Sequence, residues 1–349
     1  MSKLPNILEL TPDALAAWLD GQGEPAYRLR QVLQWVYAKR AASFDEMTDM
    51  PGPLRGRVKE SFSLSALNEV ARQRSRDGST EKFLFELADG EQIESVALRD
   101  EGRHTFCISS QAGCPLGCTF CATGAMGWAR NLAVPEILGQ VLALARARGA
   151  LGNIVFMGMG EPLLNLDAVL LALQALNDRR RFGVGGRSIT VSTAGITPGI
   201  RRLGESPVRP HLALSLNSPF SEQRSELMPV NRKYPLGEVL EACRGYSART
   251  GRRVLLEYVL IRRVNTSGAA AQELARIARD LHARVNLIAF NPVGACIHGR
   301  PTLGEVKRFR GILEDRGVTV TQRYRRGVDI GAGCGQLRGR HGAGPSARH

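Results

Sequence analysis

Three cysteines fall within eight residues, Cys114-Pro115-Leu116-Gly117-Cys118-Thr119-Phe120-Cys121. Three thiolates can hold three irons of a cubane iron–sulfur cluster and leave the fourth iron open to a chelating substrate, and cysteine ligation is the usual mode for such clusters. Zinc is the alternative, but a closed structural zinc site takes four ligands. His104 or a distant cysteine would have to complete it. Gly113, Pro115 and Gly117 make the stretch a loop, where packed, inert thiols are less expected. With Cys107, Cys243, Cys296 and Cys334 the chain holds seven cysteines. An odd number, with four crowded around one loop, is unlike a disulfide framework and points to metal binding or catalysis.

Such a loop needs a scaffold. From about 104 to 326, β-rich runs at 105–109, 154–157, 188–192, 211–216, 254–261, 285–290 and 318–322 alternate with helical patterns such as 135–148 and 269–282. This alternation predicts parallel βαβ units, closed or partly closed into a barrel, with the chemistry at the C-terminal strand ends. Those ends carry polar or glycine-rich sequence: Gly158-Met159-Gly160-Glu161-Pro162, Ser192-Thr193-Ala194-Gly195, Ser215-Leu216-Asn217 and Asn291-Pro292. The cysteine loop follows the first strand and so joins the same rim.

Upstream, 1–65 reads as a small helical domain. Thr11-Pro12 starts one helix; a second carries Leu29, Val32, Leu33 and Val36 on one face; a third is expected from Ser43 towards Met50-Pro51-Gly52-Pro53. Period-two runs at 70–76, 82–87 and 92–98, joined by Asp77-Gly78-Ser79 and Asp89-Gly90, predict an antiparallel β linker over 66–103, ahead of a barrel over 104–337. Residues 338–349, rich in Gly, Arg and His without apolar period, are expected to form a disordered basic tail.

At 349 residues, 43% hydrophobic and 23% charged, the composition is that of an ordinary soluble protein. No stretch has the length and apolarity of a transmembrane helix, and the start, Met1-Ser2-Lys3-Leu4-Pro5-Asn6, lacks the secretory pattern. A cytoplasmic location with no membrane partner is expected. Lys and Arg exceed Asp and Glu by 47 to 33, a net charge of +14. That field attracts polyanions, nucleic acid first, with an arginine-favouring coding bias or simple solubility as the blander reading. Arg179-Arg180-Arg181, Arg201-Arg202, Arg262-Arg263 and Arg325-Arg326 are candidate phosphate contacts, although each alone more often marks a solvated loop.

The Cys-x3-Cys-x2-Cys spacing, with an aromatic residue before the third cysteine, resembles the signature of the radical S-adenosylmethionine superfamily. Gly158 to Pro162 is similar to that superfamily's glycine-rich motif, which contacts the methionine part of the cofactor. The flanks are more specific: Ser109-Ser110-Gln111-Ala112-Gly113-Cys114, Gly127-Trp128-Ala129-Arg130-Asn131-Leu132, the run from Phe156 to Asn165, Met228-Pro229-Val230-Asn231, and the run from Asp329 through Cys334 to Leu337. Together they resemble the RlmN/Cfr family of radical RNA methyltransferases, RlmN most, across nearly the whole chain. The helical segment with Tyr27-Arg28 and Gln34-Trp35-Val36-Tyr37 is similar to that family's RNA-engaging domain.

The resemblance implies a fold and a set of roles. The fold is a partial (β/α)6 TIM-like barrel of the radical SAM type. Cys114, Cys118 and Cys121 would hold a [4Fe-4S] cluster, and two S-adenosyl-L-methionine molecules would be used per turnover. One methylates Cys334; the second is cleaved to a 5′-deoxyadenosyl radical that takes hydrogen from that methyl group. The carbon radical adds to an adenine ring carbon, and Cys107 releases the product by forming a disulfide with Cys334. Glu94 matches the acid/base glutamate, and Gly160, Glu161, Ser192, Ser215, Leu216, Asn217 and Asn291 match cofactor-contacting positions.

The expected reaction is methylation of adenosine carbon 2 in the peptidyl-transferase centre of 23S rRNA and, in some members, of a tRNA adenosine next to the anticodon. The rivals are a Cfr-type carbon-8 reaction, a diverged paralogue acting on another RNA, and a zinc-stabilised RNA-binding protein without activity. A flavodoxin or ferredoxin is the expected electron donor, and a monomer the expected state. Two departures stand out: Asn217 replaces a histidine often found after Ser-Leu, and 293–298 replaces a Pro-Gly-rich loop.

Overall fold

The computed structural model describes residues 4–292, 298–322, 327–333 and 335–337. Cys296, Cys334, Arg325-Arg326 and the tail expected over 338–349 lie outside the described residues.

The Thr11 side chain accepts the Ala14 amide and Pro12 takes the first helical position, which starts α1 (Pro12–Gly21). Next, α2 (Tyr27–Leu33) continues through a wider turn, Gln34–Ala38, and Arg40 breaks it with φ at +57°. The helix expected from Ser43 is a single 3-10 turn, Phe44–Glu46, and α3 (Gly52–Ser61) begins beyond it. Pro-Gly-Pro looks like a stop, but a proline in the first turn has no amide to satisfy and a preset φ, so here it opens the helix.

Three antiparallel strands follow: β1 (Asn68–Arg74), β2 (Thr80–Glu86) and β3 (Gln92–Asp100). The last pairs antiparallel with β4 (Arg103–Cys107), so the meander continues directly into the barrel sheet. Beyond β4, a small hairpin of β5 (Gln111–Gly113) and β6 (Trp128–Asn131) brackets the cysteine loop and α4 (Ala122–Ala125).

The barrel then alternates α5 (Val134–Arg148), β7 (Asn153–Phe156), α6 (Leu166–Asn177), β8 (Ile189–Thr193), α7 (Thr197–Leu203) and β9 (His211–Ser215). It continues with α8 (Ser221–Leu227), α9 (Leu236–Thr250), β10 (Leu255–Leu260), α10 (Gly268–Asp280), β11 (Arg284–Ala289), α11 (Leu303–Glu314) and β12 (Val320–Gln322). Strands β4, β7, β8, β9, β10 and β11 are parallel neighbours in that order, with the short β12 beside β11. This is a parallel α/β barrel left open, with helices in the crossovers among the described residues.

Alternate residues divide the strands into two faces. Phe106, Ile154, Phe156, Ile189, Val191, Leu212, Leu214, Leu256, Tyr258 and Leu287 are buried in the apolar core. The other face carries Cys107, Ser192, Ser215, Glu257 and Asn286, where the Asn286 amide donates to Glu257 at 2.7 Å. A parallel sheet covered on both faces would be apolar on both; the polar inner face marks the side that receives a ligand. No described helix is long and apolar enough to cross a membrane.

Arginines fasten the N-terminal helical layer to the barrel. Arg146 of α5 donates to the carbonyls of Arg40 and Ala41 at 2.8 and 3.0 Å, and Arg40 donates back to Ala145. Arg181, beyond α6, donates to the Leu8 carbonyl at 2.6 Å and the Tyr37 hydroxyl at 2.8 Å, while Tyr37 packs edge-on against Phe182. Charged hydrogen bonds of this kind contribute roughly 1.5–3 kcal/mol each. Arg181→Ala should therefore lower stability by about 2 kcal/mol and raise amide exchange chiefly within 5–64. Unchanged exchange there would show that Arg181 does not hold the layer.

Candidate active site

The loop that leaves β4 is held by backbone bonds to the end of β7 and by buried polar side chains. Gln140 of α5 accepts the Ser109 amide and the Ser95 hydroxyl, both at 2.7 Å, and donates to the Ser109 carbonyl at 3.0 Å. Ser109 in turn donates its hydroxyl to the Glu94 carbonyl at 2.6 Å and accepts the Met159 amide at 2.8 Å. Gln111 accepts the Glu161 amide at 2.8 Å and donates to Asn131. Asn165 donates to the carbonyls of Ser110 and Leu132, each at 2.8 Å. The motif fragments on either side of the cysteines are thus one connected set of buried hydrogen bonds.

The same contact explains the glycine-rich strand end. A Cβ on Gly158 would lie 2.7 Å from the Ile108 carbonyl carbon, and one on Gly160 would lie 2.5 Å from the Gln111 Cβ. Gly160 also has φ at +96°, a region closed to ordinary side chains. Glu161 is buried, with one oxygen accepting the Leu163 amide at 3.1 Å and the other the Ala194 amide at 2.7 Å. Burial pushes its carboxyl up to about 7, against the lowering effect of those hydrogen bonds.

Cys114, Cys118 and Cys121 are brought within electrostatic reach of one another. Burial, and then each other's charge, push the Cys114 thiol up to about 12 and Cys118 further. Three thiolates crowded into a half-buried loop repel one another unless a cationic centre holds them, so the donor set fits a bound cluster. Among the described residues no three His, Cys, Asp or Glu side chains converge closely enough for a single metal ion. His104, the nearest fourth zinc ligand by sequence, lies near the opposite end of β4 from the loop.

The remaining candidate positions sit at neighbouring strand ends. Ser192 and Ser215 are half-buried on the inner face of β8 and β9, and Leu216 is buried behind them. Asn217 is buried with φ at +58°, a backbone state that asparagine tolerates better than most residues. Its carboxamide is occupied within the fold, accepting the Val259 amide at 2.9 Å and donating to the Met228 sulfur at 3.2 Å. Asn291, past β11, has a buried Oδ1 with no hydrogen-bond partner among the described residues. An orphaned acceptor on this rim fits a ligand that brings its own donor.

On the other side of β4, Lys82, Val96 and Cys107 line up across β2, β3 and β4. Lys82 forms an ion pair with the buried Glu94 at 2.9 Å, which places the Glu94 carboxylate on the Cys107 face. No sequence pattern singled out Lys82, because one lysine in an alternating strand looks like a solvent-facing residue.

The C-terminal segment closes the site. Gly333 donates to Gln336 at 2.9 Å, and a Cβ at Gly333 would lie 3.5 Å from the Asn291 Nδ2. The Gly335 carbonyl accepts the Ala122 amide at 2.8 Å, and Thr123 donates to the Leu337 carbonyl at 2.9 Å. The chain after Cys334 is therefore hydrogen-bonded to the start of α4, beside Cys121, and Gly333 lies near Asn291. No disulfide joins two described residues.

The arginine clusters proposed from sequence divide. Arg180 pairs with Asp13 and Arg181 with the N-terminal layer, Arg202 pairs with Asp167, and Arg262 lies 3.9 Å from Glu305. Arg180, Arg181 and Arg202 thus have protein partners, so these clusters are not simply open phosphate sites.

Residues 108–275 match the Radical SAM superfamily, and residues 5–64 match the Ribosomal RNA large subunit methyltransferase N-terminal domain. The probable dual-specificity RNA methyltransferase RlmN of Gemmatimonas aurantiaca is 48% identical over 344 residues, covering 97% of this chain and 94% of that protein. The dual-specificity RNA methyltransferase RlmN of Geobacter sulfurreducens is 44% identical over 340 residues, covering 97% and 94%. A solved radical SAM methyltransferase from Sphaerobacter thermophilus matches with a TM-score of 0.93 at 46% identity, over 96% of this chain and 100% of that one. With that likeness along nearly all of its length, and the cysteine loop joined to the glycine-rich strand end, the chain belongs to the RlmN family of radical SAM RNA methyltransferases, which use a [4Fe-4S] cluster and S-adenosylmethionine.

Proposed function

We propose that this enzyme methylates carbon 2 of an adenosine in 23S rRNA, at the peptidyl-transferase centre, and of a tRNA adenosine next to the anticodon. The observation that carries the reading is that the described residues after Cys334 return to the cysteine loop, the Gly335 carbonyl accepting the Ala122 amide and the Leu337 carbonyl the Thr123 hydroxyl. A methyl carrier must stand between the cofactor and the base, and a segment that returns to the cysteine loop supports that role for Cys334.

In this reading Cys114, Cys118 and Cys121 hold the cluster, and Gly160, Glu161, Ser192, Ser215, Leu216 and Asn291 line the cofactor cleft. Asn217 acts there through its backbone and its grip on β10, since its side chain is already bonded. The bound cluster and cofactor supply one-electron cleavage, which lets hydrogen be taken from an otherwise inert methyl group. Cys334 accepts that methyl first, as a thioether, by displacing the sulfonium of one cofactor molecule. After carbon–carbon bond formation the base remains tethered through sulfur. Cys107 attacks Cys334 to form a transient disulfide, which frees the methylated base. Glu94, held by Lys82, stands on the same face to move the proton that leaves the adenine carbon.

The adenine must leave its stack to enter the site, and the N-terminal helical layer, fixed to α5 by Arg146, engages the RNA around it. The electron comes from a low-potential protein such as flavodoxin or ferredoxin, and the enzyme works as a monomer in the cytoplasm.

Two measurements test this reading. RNA from a strain lacking this enzyme should contain no 2-methyladenosine at the target positions when digested and analysed by mass spectrometry; its retention, with no second copy of the gene, would sink the assignment, and loss of 8-methyladenosine would move the reaction to the other carbon. Cys334→Ala should abolish methyl transfer by at least a hundredfold, about 2.7 kcal/mol in barrier, while reductive cofactor cleavage stays detectable. Methylation at the parent rate by that variant would refute the Cys334 relay.

A further inference from the structure

The Met228-Pro229-Val230-Asn231 stretch, assigned no role by the chemistry above, leads to a buried arginine. Arg224, on the short helix α8, is wholly buried. Its Nε donates to the Leu216 carbonyl at 3.1 Å, its Nη1 to Asn231 Oδ1 at 2.7 Å, and its Nη2 to the carbonyls of Ala194 at 2.6 Å and Ser215 at 3.3 Å. Asn231 is itself fixed by donating to the Ser221 carbonyl and the Ser225 hydroxyl. All of these partners are neutral, and among the described residues no carboxylate pairs with Arg224.

A permanently charged guanidinium is costly to bury without an opposite charge. Hydrogen bonds to carbonyls orient it but leave its net charge uncompensated. The helix that carries it ends at Leu227, whose carbonyl accepts the Thr119 amide at 3.0 Å, between Cys118 and Cys121. The guanidinium acts on the Cys118 thiol, favouring its ionised form against burial, and burial lowers the guanidinium's own pKa to about 10. The three-thiol loop against which α8 ends carries negative charge once its thiols ligate a cluster.

We propose that Arg224 is the buried counter-charge of the iron–sulfur cluster and a positioning residue for the cofactor cleft, raising the cluster's electron affinity while tying together the ends of β8 and β9. This inference rests on the reading that Cys114, Cys118 and Cys121 hold the cluster. Reduction adds one electron, from an external low-potential donor, to a centre already made negative by three thiolates. A fixed positive charge nearby stabilises the reduced form, because cluster potentials follow local charge as well as hydrogen bonding and exposure. The planar fork suits the second task, since it reaches the carbonyls of Ala194, Ser215 and Leu216 at once.

The test is an EPR-monitored redox titration of the anaerobically reconstituted full-length enzyme without S-adenosylmethionine, with iron content measured for each preparation. Arg224→Met should shift the midpoint to more negative potential. Arg224→Lys should keep the parent midpoint but weaken S-adenosylmethionine binding several-fold, because an ammonium cannot hold all three carbonyls. Cys243→Asp, which sets a carboxylate near the guanidinium, should shift the midpoint the same way as Arg224→Met, and it decides the matter if the methionine variant does not fold. Parent midpoints in cluster-loaded Arg224→Met or Cys243→Asp would overturn the proposal. A parent protein that takes up no iron would instead refute the cluster assignment, leaving a different signature.

Discussion

The site depends on burying a run of polar backbone that leaves the regular strands. Between β4 and β5, and again between β7 and α6, the chain leaves the sheet yet remains inside the protein, where an unpaired amide or carbonyl costs about 1–3 kcal/mol. Backbone bonds between 108–111 and 155–159 pair part of these groups, and Gln140, Ser109, Gln111 and Asn165 satisfy others from the side. Each bonds across an element boundary, so they also set distances: α5 to the cysteine loop, the cysteine loop to the glycine-rich strand end, and that end to β6. Partly satisfied networks of this kind are worse than none. The close approach at Gly158 and Gly160 has the same origin, since Gln111 can cap the Glu161 amide only when no Cβ stands between the two segments.

A second closure is superimposed on this frame. The first strands of the sheet bring Glu94 and Lys82 to the edge of β4, and the last described residues bring Gly333 and Gly335 back to the cysteine loop. Cys107 and the segment around Cys334 are far apart in sequence, and the sheet order makes the first a rim residue while the C-terminal return supplies the second. The meander before the barrel therefore shapes the face that carries Cys107: β3 is hydrogen-bonded to β4, with Val96 paired opposite Cys107.

Much of this could be read before folding. The cysteine loop, the polar strand ends and the alternation of strands and helices were visible because each is encoded by residues adjacent in sequence. The misread helix after Ser43 shows the limit of such local signals: the same Pro-Gly-Pro ends one pattern or begins the next, and only the packing of Leu54 and Val58 decides. Asn217 was legible as a rim residue but not as one whose side chain is occupied, because Val259 and Met228 reach it from other elements. Arg224 could not be found at all. Its helix reads Ser-Glu-Gln-Arg-Ser-Glu-Leu, a solvent-facing sequence by composition, and nothing local shows that the arginine turns inward together with Leu227.

The excess of positive charge takes on a different meaning in this light. A net charge of +14 suggests a field for RNA, yet several arginines bond to the protein itself. Arg146 and Arg181 hold the helical layer through backbone carbonyls, Arg130 joins Asp89 and Glu136 beside β6, and Arg224 stands behind the cofactor cleft. Guanidinium suits these positions because it donates in several directions from a rigid plane and is less strongly hydrated than ammonium. A carbonyl-bound arginine orders loops without consuming its charge, so the same residue can serve as an anchor and still contribute to the field. The RNA-attracting potential and the rigidity of the site are thus not separate allocations of charge; a fold that fastens irregular segments with arginine becomes basic as a consequence of how it is held together.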